Sequence, residues 1–324
     1  MKHTVKKISV ILIVVLCISQ LFGCSGSVTL PYASIIGNSS FHLTSHAEDK
    51  VDGFAENLCV ADSNVHLSGF DIEQVGASGL FHLNDRKVVY ATNMHERLYP
   101  ASLTKLLTAL VAVKNGSLNQ VLTATSEVNI TEYGAVIAGL KVGDTMTLEQ
   151  ALHLLLIRSC NDVANLIAEN IGGSVDNFVV MMNEEAMQLG ATNSHFVNAH
   201  GLHDINHYST VYDIYLIFKE VIKYEAITQI IGMTSYATTY HNKYGTEMKI
   251  SVSSTNGFFR KQYKAPENVT ILGSKTGTTD EAGNCLALFV KDTFGNPYLS
   301  IILNGKTKGD LYTQMRELLE QINK

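Results

Sequence analysis

Apolar and polar positions follow different rhythms in different parts of this chain. Residues 8–22 are almost uniformly apolar, whereas 25–65 are rich in Ser, Gly, Asn and Asp and carry no sustained helical period. Two short β-type runs, 79–83 and 87–91, flank Asn84-Asp85-Arg86 and predict a hairpin. Behind Pro100, Leu106, Leu107, Leu110 and Val111 recur at helical spacing and predict a helix from Ser102. Thr147-Leu148-Glu149-Gln150 has the form of a capping box and predicts a helix running to about Arg158. Further helices are predicted over 162–169, 175–189 and 210–224, so the middle of the chain reads as helical. Strands return at 285–291 and 298–303 around the turn Phe294-Gly295-Asn296-Pro297, ahead of an amphipathic helix over 310–322. Strands at both ends of a helical middle predict an α/β (α+β) fold, with a sheet built from the two chain ends and an inserted helical region.

The first apolar run changes the cellular setting. Lys2, Lys6 and Lys7 precede it, and its 15 residues fall short of the roughly 20 that cross a bilayer, so residues 1–23 read as a secretory signal. Leu21-Phe22-Gly23-Cys24 resembles the lipobox of bacterial lipoproteins, which implies cleavage before Cys24 and its lipidation. The expected organisation is a signal peptide over 1–23, a lipidated Cys24 with a flexible tether to residue 65, and a folded domain over 66–324. Such a protein is extracytoplasmic and held at the membrane by its lipid.

Composition narrows the class. With 46% hydrophobic residues, 17% charged and only 4 Pro, the chain can bury a large core, which excludes a disordered or fibrous protein. Its net charge is -6, and losing 1–23 removes three lysines and no acid; with no basic run longer than a pair, a nucleic-acid partner is not expected. Cys59, Cys160 and Cys285 remain in the mature chain, an odd and sparse set from which no required disulfide is expected.

The candidate chemistry lies in three short motifs. Ser102-Leu103-Thr104-Lys105 places a hydroxyl and an amine one helical turn apart, on one face near a helix N-terminus. Ser159-Cys160-Asn161 falls at the junction of two predicted helices, where a hydroxyl and an amide can project into a cleft. Lys275-Thr276-Gly277, followed by Thr278, stands just ahead of the strand at 285. S-x-x-K, S-x-N and K-T-G in this order form the signature set of the penicillin-binding proteins and serine β-lactamases. The stretch from Arg97 through Pro100-Ala101-Ser102 to Thr104-Lys105 resembles the low-molecular-weight D-alanyl-D-alanine carboxypeptidases. Asn198, Gly201-Leu202 and His207-Tyr208-Ser209-Thr210, and later Glu281-Ala282-Gly283, extend that resemblance over roughly residues 69–305.

The resemblance implies a β-lactamase/transpeptidase-like fold and a reaction. Ser102 would attack the terminal D-Ala-D-Ala bond of a peptidoglycan stem peptide, and Lys105 would act as base once burial and the neighbouring Lys275 depress its pKa. Ser159 would relay the proton to the leaving amine, and Asn161 would hold the substrate amide and position Lys105. Lys275, Thr276 and Thr278 would receive the terminal carboxylate, Gly277 would let a backbone pass close by, and the amides of Ser102 and Thr278 would form the oxyanion hole. β-Lactams would acylate the same serine. No cofactor or metal is expected. Membrane helix and extra β domain, both present in better-known members, are not expected here.

Other readings are weaker. A class A β-lactamase would need an E-x-x-L-N stretch that the sequence lacks. His200, His203 and His207 are spaced H-x-x-H-x-x-x-H, without the H-E-x-x-H helix of zinc peptidases. A non-catalytic penicillin-binding module would not need its serine and lysines intact. Cys160 is expected to be an inert buried thiol and Arg97 an ion-pair partner.

Overall fold

A computed structural model describes residues 55–324 of the chain. The signal segment, Cys24 and the tether as far as residue 54 lie outside the described residues.

The two chain ends build one antiparallel sheet. Strands β1 (Ala77–His82) and β2 (Lys87–Thr92) form the predicted hairpin. From the far end come β7 (Val269–Thr279), β8 (Gly283–Asp292) and β9 (Pro297–Gly305), which give the order β2-β1-β9-β8-β7. Every residue of β1 is buried, and Tyr298 to Leu303 of β9 are too, so these strands read as apolar runs and not as alternating ones. A strand of that kind needs cover on both faces. Helix α7 (Lys308–Leu319) supplies it on one side, where Leu311, Met315, Leu318 and Leu319 cluster with Leu80, Leu286, Leu288 and Ile302. On the other side Phe81, Ala287, Leu299 and Ile301 join the core of the helical region.

That region holds α1 (Thr104–Asn115), α2 (Leu148–His153), α3 (Asn161–Gly172), α4 (Val175–Gln188), α5 (Val211–Val221) and α6 (Glu225–Ile231). The capping box at Thr147 forms: its hydroxyl accepts from Gln150 N, and the Gln150 side chain accepts from Thr147 N at 2.8 Å. Helix α1 is completely buried from Thr104 to Ala112, which makes it the central helix and a rigid base for whatever its first turn carries.

Three expectations change. The α2 helix does not run regularly to Arg158; residues Leu154–Arg158 widen into a π turn that ends in Ser159, a left-handed residue at φ 70. A second sheet, absent from the sequence reading, has the order β3-β4-β5-β6 from Val121–Thr123, Thr145–Thr147, Ser235–His241 and Glu247–Ser253. Finally, residues from 55 to 65, read as tether, belong to the folded unit. Cys59 is 1% exposed and its amide donates to the Tyr215 hydroxyl at 2.8 Å, while Val65 and Ala91 exchange two backbone hydrogen bonds. The polar composition of this segment hides Leu58, Cys59, Ala61 and Val65, which pack on the core.

Candidate active site

The first wall of the site is helical. A 3-10 turn, Ala101–Leu103, precedes α1, so the helix predicted from Ser102 begins its α geometry at Thr104. Ser102 and Lys105 lie one turn apart, and the Lys105 Nζ stands 2.9 Å from the Ser102 Oγ. The same amine donates to Asn161 Oδ1 at 2.7 Å and to the His200 carbonyl at 2.5 Å. Asn161 is the first residue of α3, brought here because the π turn and the left-handed Ser159 end one helix just before the next begins. Such widened turns cluster at functional sites because they re-aim side chains that a regular helix would bury.

The second wall is strand β7, the edge of the five-stranded sheet. Lys275 points inward and donates to Ser159 Oγ at 2.8 Å and to the Thr276 carbonyl at 2.9 Å. The Thr276 hydroxyl lies 2.6 Å from that of Thr255. Thr278 is exposed, with its hydroxyl directed to the Gly277 carbonyl at 2.8 Å. Gly277 is where the walls meet: a Cβ there would stand 2.9 Å from Ser102 N and 3.0 Å from the Pro100 carbonyl oxygen. Glycine is required by that approach, and its φ is ordinary.

Both lysines are buried, Lys105 at 0% and Lys275 at 1% exposure. Burial holds the Lys105 pKa well below that of a free lysine, and the nearby Lys275 charge lowers it further. Burial, opposed in part by Cys160, brings Lys275 down to about 7. A neutral Lys105 amine has two N–H bonds, and Asn161 Oδ1 and the His200 carbonyl, both pure acceptors, take them. The lone pair is left to face the Ser102 hydroxyl, the arrangement of a base beside its proton.

All eight residues predicted for the catalytic and carboxylate-receiving roles therefore converge on one cleft of about 220 Å³, whose lining includes Ser102, Ser159, Thr276, Gly277 and Thr278. Lys105, Asn161 and Lys275 stand directly behind it. Sequence reasoning missed Val136, Thr255, Arg260, Tyr263, Lys308 and Tyr312, which line the same cleft. No motif marks them. Val136 arrives on a loop tied down by Asp162, which accepts from the amides of Ala138, Gly139 and Leu140, and by the Asn161 N–H on the Val136 carbonyl at 2.8 Å. An acid directly after the S-x-N motif was the one available signal.

The remaining candidates separate clearly. Cys160 is fully buried and its thiol is pushed up to about 12, as expected of an inert packing group. Cys59, Cys160 and Cys285 are all buried and unpaired. Arg97 departs from its expected ion pair: it donates to Asn193 Oδ1 at 3.2 Å and lies 4.9 Å over the Tyr208 ring, because the residue opposite it is aromatic and not acidic. His200 and His207 point to separate protein partners, and no group of three metal-ligating side chains occurs among the described residues. No helix among the described residues is long and apolar enough to cross a membrane.

Comparison with known proteins agrees with this geometry. The model of peptidase family S11, D-alanyl-D-alanine carboxypeptidase, matches residues 75–307. The D-alanyl-D-alanine carboxypeptidase DacF of Bacillus subtilis is 34% identical over 244 residues, 72% of this chain and 58% of that protein. DacC of Escherichia coli is 30% identical, covering 82% of this chain and 64% of its own length. The chain thus spans about three fifths of the curated relatives it matches. Among solved structures, the Streptomyces K15 DD-transpeptidase superimposes with a TM-score of 0.72 at 23% identity, covering 79% of this chain and 98% of that one, a likeness of fold. With its three motifs assembled on that fold and the family model spanning most of its folded domain, the chain belongs to the D-alanyl-D-alanine carboxypeptidase family, peptidase family S11.

Proposed function

We propose that this chain is a serine D-alanyl-D-alanine carboxypeptidase that removes the terminal D-Ala from peptidoglycan stem peptides through an acyl-enzyme on Ser102. The observation that carries the reading is the Lys105 amine, buried, 2.7 and 2.5 Å from two pure acceptors, Asn161 Oδ1 and the His200 carbonyl, and 2.9 Å from Ser102 Oγ.

In the forward step the Ser102 Oγ attacks the penultimate carbonyl carbon and its proton passes to Lys105 Nζ. The developing oxyanion faces the amides of Ser102 and Thr278, oriented before the reaction by the helix start and the strand edge. As the peptide C–N bond breaks, Lys105 gives up that proton to the leaving amine by way of Ser159, which Lys275 holds in place at 2.8 Å, and so returns to its base form. The terminal carboxylate of the substrate is received by the Lys275 ammonium and the hydroxyls of Thr276 and Thr278. Asn161 keeps the substrate amide and Lys105 in register. Water then attacks the ester, gives its proton to Lys105 and frees Ser102. A β-lactam presents a strained amide beside a carboxylate and should enter the same path as far as the acyl-enzyme.

The cellular reading follows from the first 24 residues: export, lipidation of Cys24 and work at the outer face of the membrane, where peptidoglycan is the substrate and no nucleic acid is met. Mass spectrometry of the purified full chain with a β-lactam tests the chemistry. A stable adduct on the wild type and none on Ser102→Ala, together with D-Ala release from a stem-peptide mimic, is the expected result. Rapid antibiotic turnover without an adduct would point to a β-lactamase, and an adduct without D-Ala release to a binding module.

A further inference from the structure

Behind Ser102 lies a buried chain of hydrogen bonds that touches neither lysine. His207 is 2% exposed and Thr104 completely buried. The Val197 N–H donates to His207 Nδ1 at 3.2 Å, so the ring proton resides on Nε2, which lies 2.8 Å from the Thr104 hydroxyl. A hydroxyl that accepts there is free to donate onward, and Thr104 Oγ1 donates to the Ala101 carbonyl at 2.8 Å. Burial lowers the His207 pKa to about 4, which keeps this tautomer neutral at ordinary pH.

The acceptor at the end of that chain is an unusual one. Ala101 is a non-glycine residue at φ 46, in the left-handed region, a strained conformation that persists only where its surroundings hold it. Gly201, itself at φ 82, packs so closely on the same carbonyl that a Cβ there would overlap it. The Ala101 carbonyl and the Ser102 N–H belong to one peptide unit, and no peptide bond among the described residues is cis. In a trans peptide the two groups point in opposite directions. Pinning the carbonyl inward on Thr104 and Gly201 therefore turns the Ser102 N–H outward, toward the edge of β7 where Gly277 lies.

We propose that His207 is a positioning residue for the oxyanion hole, acting through Thr104 to fix the Ala101–Ser102 peptide so that the Ser102 amide faces the substrate oxygen. The proposal rests on the acyl-enzyme reading and adds to it: His207 touches no substrate, and its effect belongs to the rate of bond formation and not to ligand capture. Thr104 is the intermediary. Its hydroxyl, committed to accepting from His207, has one direction left in which to donate.

The test measures acylation of the full chain by a chromogenic β-lactam, split into the dissociation constant of the first complex and the rate of the chemical step, with the melting temperature alongside. Thr104→Val removes the hydroxyl at nearly constant volume and should slow the chemical step roughly 10- to 100-fold, within the range for losing or misaligning one oxyanion donor, at unchanged dissociation constant. Thr104→Ser should restore most of the rate. His207→Phe should slow the same step by a smaller factor, roughly 5- to 10-fold, and the double variant His207→Phe/Thr104→Val should be no slower than Thr104→Val alone, since both act through one bond. Should valine at 104 fail to fold, His207→Phe and Thr104→Ser carry the test. A full chemical rate in Thr104→Val or His207→Phe, a loss confined to the dissociation constant, or multiplying losses in the double variant would overturn the proposal. A wild type that takes no acyl group would overturn the acyl-enzyme reading and this proposal with it, whereas an acylated wild type with insensitive variants sinks this proposal alone.

Discussion

Lys105 and Lys275 are equally buried and reach the same cleft from opposite walls, yet their surroundings assign them different work. Lys105 rises from a helix that is wholly buried from Thr104 to Ala112, and its three neighbours, Ser102 Oγ, Asn161 Oδ1 and the His200 carbonyl, fill every direction of the amine. Lys275 rises from an edge strand and has two partners, Ser159 Oγ and the Thr276 carbonyl, which leaves one proton of its ammonium for a ligand. The helix wall is closed and suited to moving a proton, while the strand wall is open and suited to receiving an anion. Burial alone does not decide what a lysine does; the number and kind of acceptors around it do.

The sharpest way to break this contrast is to exchange the head groups. Lys105→Gln should lower acylation about 10³-fold, in keeping with loss of a general base, and Lys105→Arg should not rescue it because guanidinium stays protonated. Single-turnover kinetics with a β-lactam would check both. Recovery in Lys105→Arg would mean that the charge and not the lone pair matters at that position, and the contrast would collapse.

Lys275→Gln should cost less, roughly 10- to 100-fold, because it removes one charge-assisted bond to the carboxylate. The loss should shrink for a substrate amidated at its C-terminus, and comparing the two substrates by kcat/KM is the measurement. An equal loss on both would make Lys275 a proton-transfer group and merge the two walls.

How much of this contrast is legible in the sequence follows from the range of the contacts. Ser102 and Lys105 are neighbours on a helix by spacing alone, so the S-x-x-K pair can be read locally; so can the capping box at Thr147. Ser159 and Lys275 are 116 residues apart, and their 2.8 Å contact depends on the π turn and the edge position of β7, neither of which leaves a pattern. Only the resemblance of the ordered motifs to a known family brings them together in advance. The four-stranded sheet was invisible for a different reason. Strands β5 and β6 are mostly exposed or half-buried, so Ser235–His241 and Glu247–Ser253 lack the one-faced apolar alternation that marks a strand. Docking of the segment around Cys59 was hidden in the same way, by a polar composition with a few well-placed apolar residues.

The buried lysines also leave a signature in stability. An unfolded Lys275 titrates near 10.5 and the folded one near 7, so between these values the unfolded chain binds more protons and stability rises with pH, by at most about 1.4 kcal/mol per pH unit for one group. Lys105 acts in the same direction. Cys160 and Cys285 oppose it above about pH 9, because their folded thiols are held up to about 12 and the unfolded chain then binds fewer protons. The melting temperature should therefore climb from pH 7 toward 9, and the climb should flatten in Lys275→Met. A profile unchanged by that substitution would show that Lys275 keeps an ordinary pKa in the fold.

Cys160 offers the smallest effect and the finest test of how closed the helix wall is. It occupies the middle of the S-x-N motif, between a residue that meets Lys275 and one that meets Lys105, yet its side chain is fully buried and its thiol is held up to about 12 by burial first and by Asp162 second. A thiol in that state is neither nucleophilic nor reachable. Cys160→Ala should leave acylation within about twofold, and iodoacetamide should not label Cys160 in the folded chain at pH 8. Labelling at a rate near that of a free thiol would mean that this wall opens to solvent, and an open wall would remove the burial that holds the Lys105 pKa down.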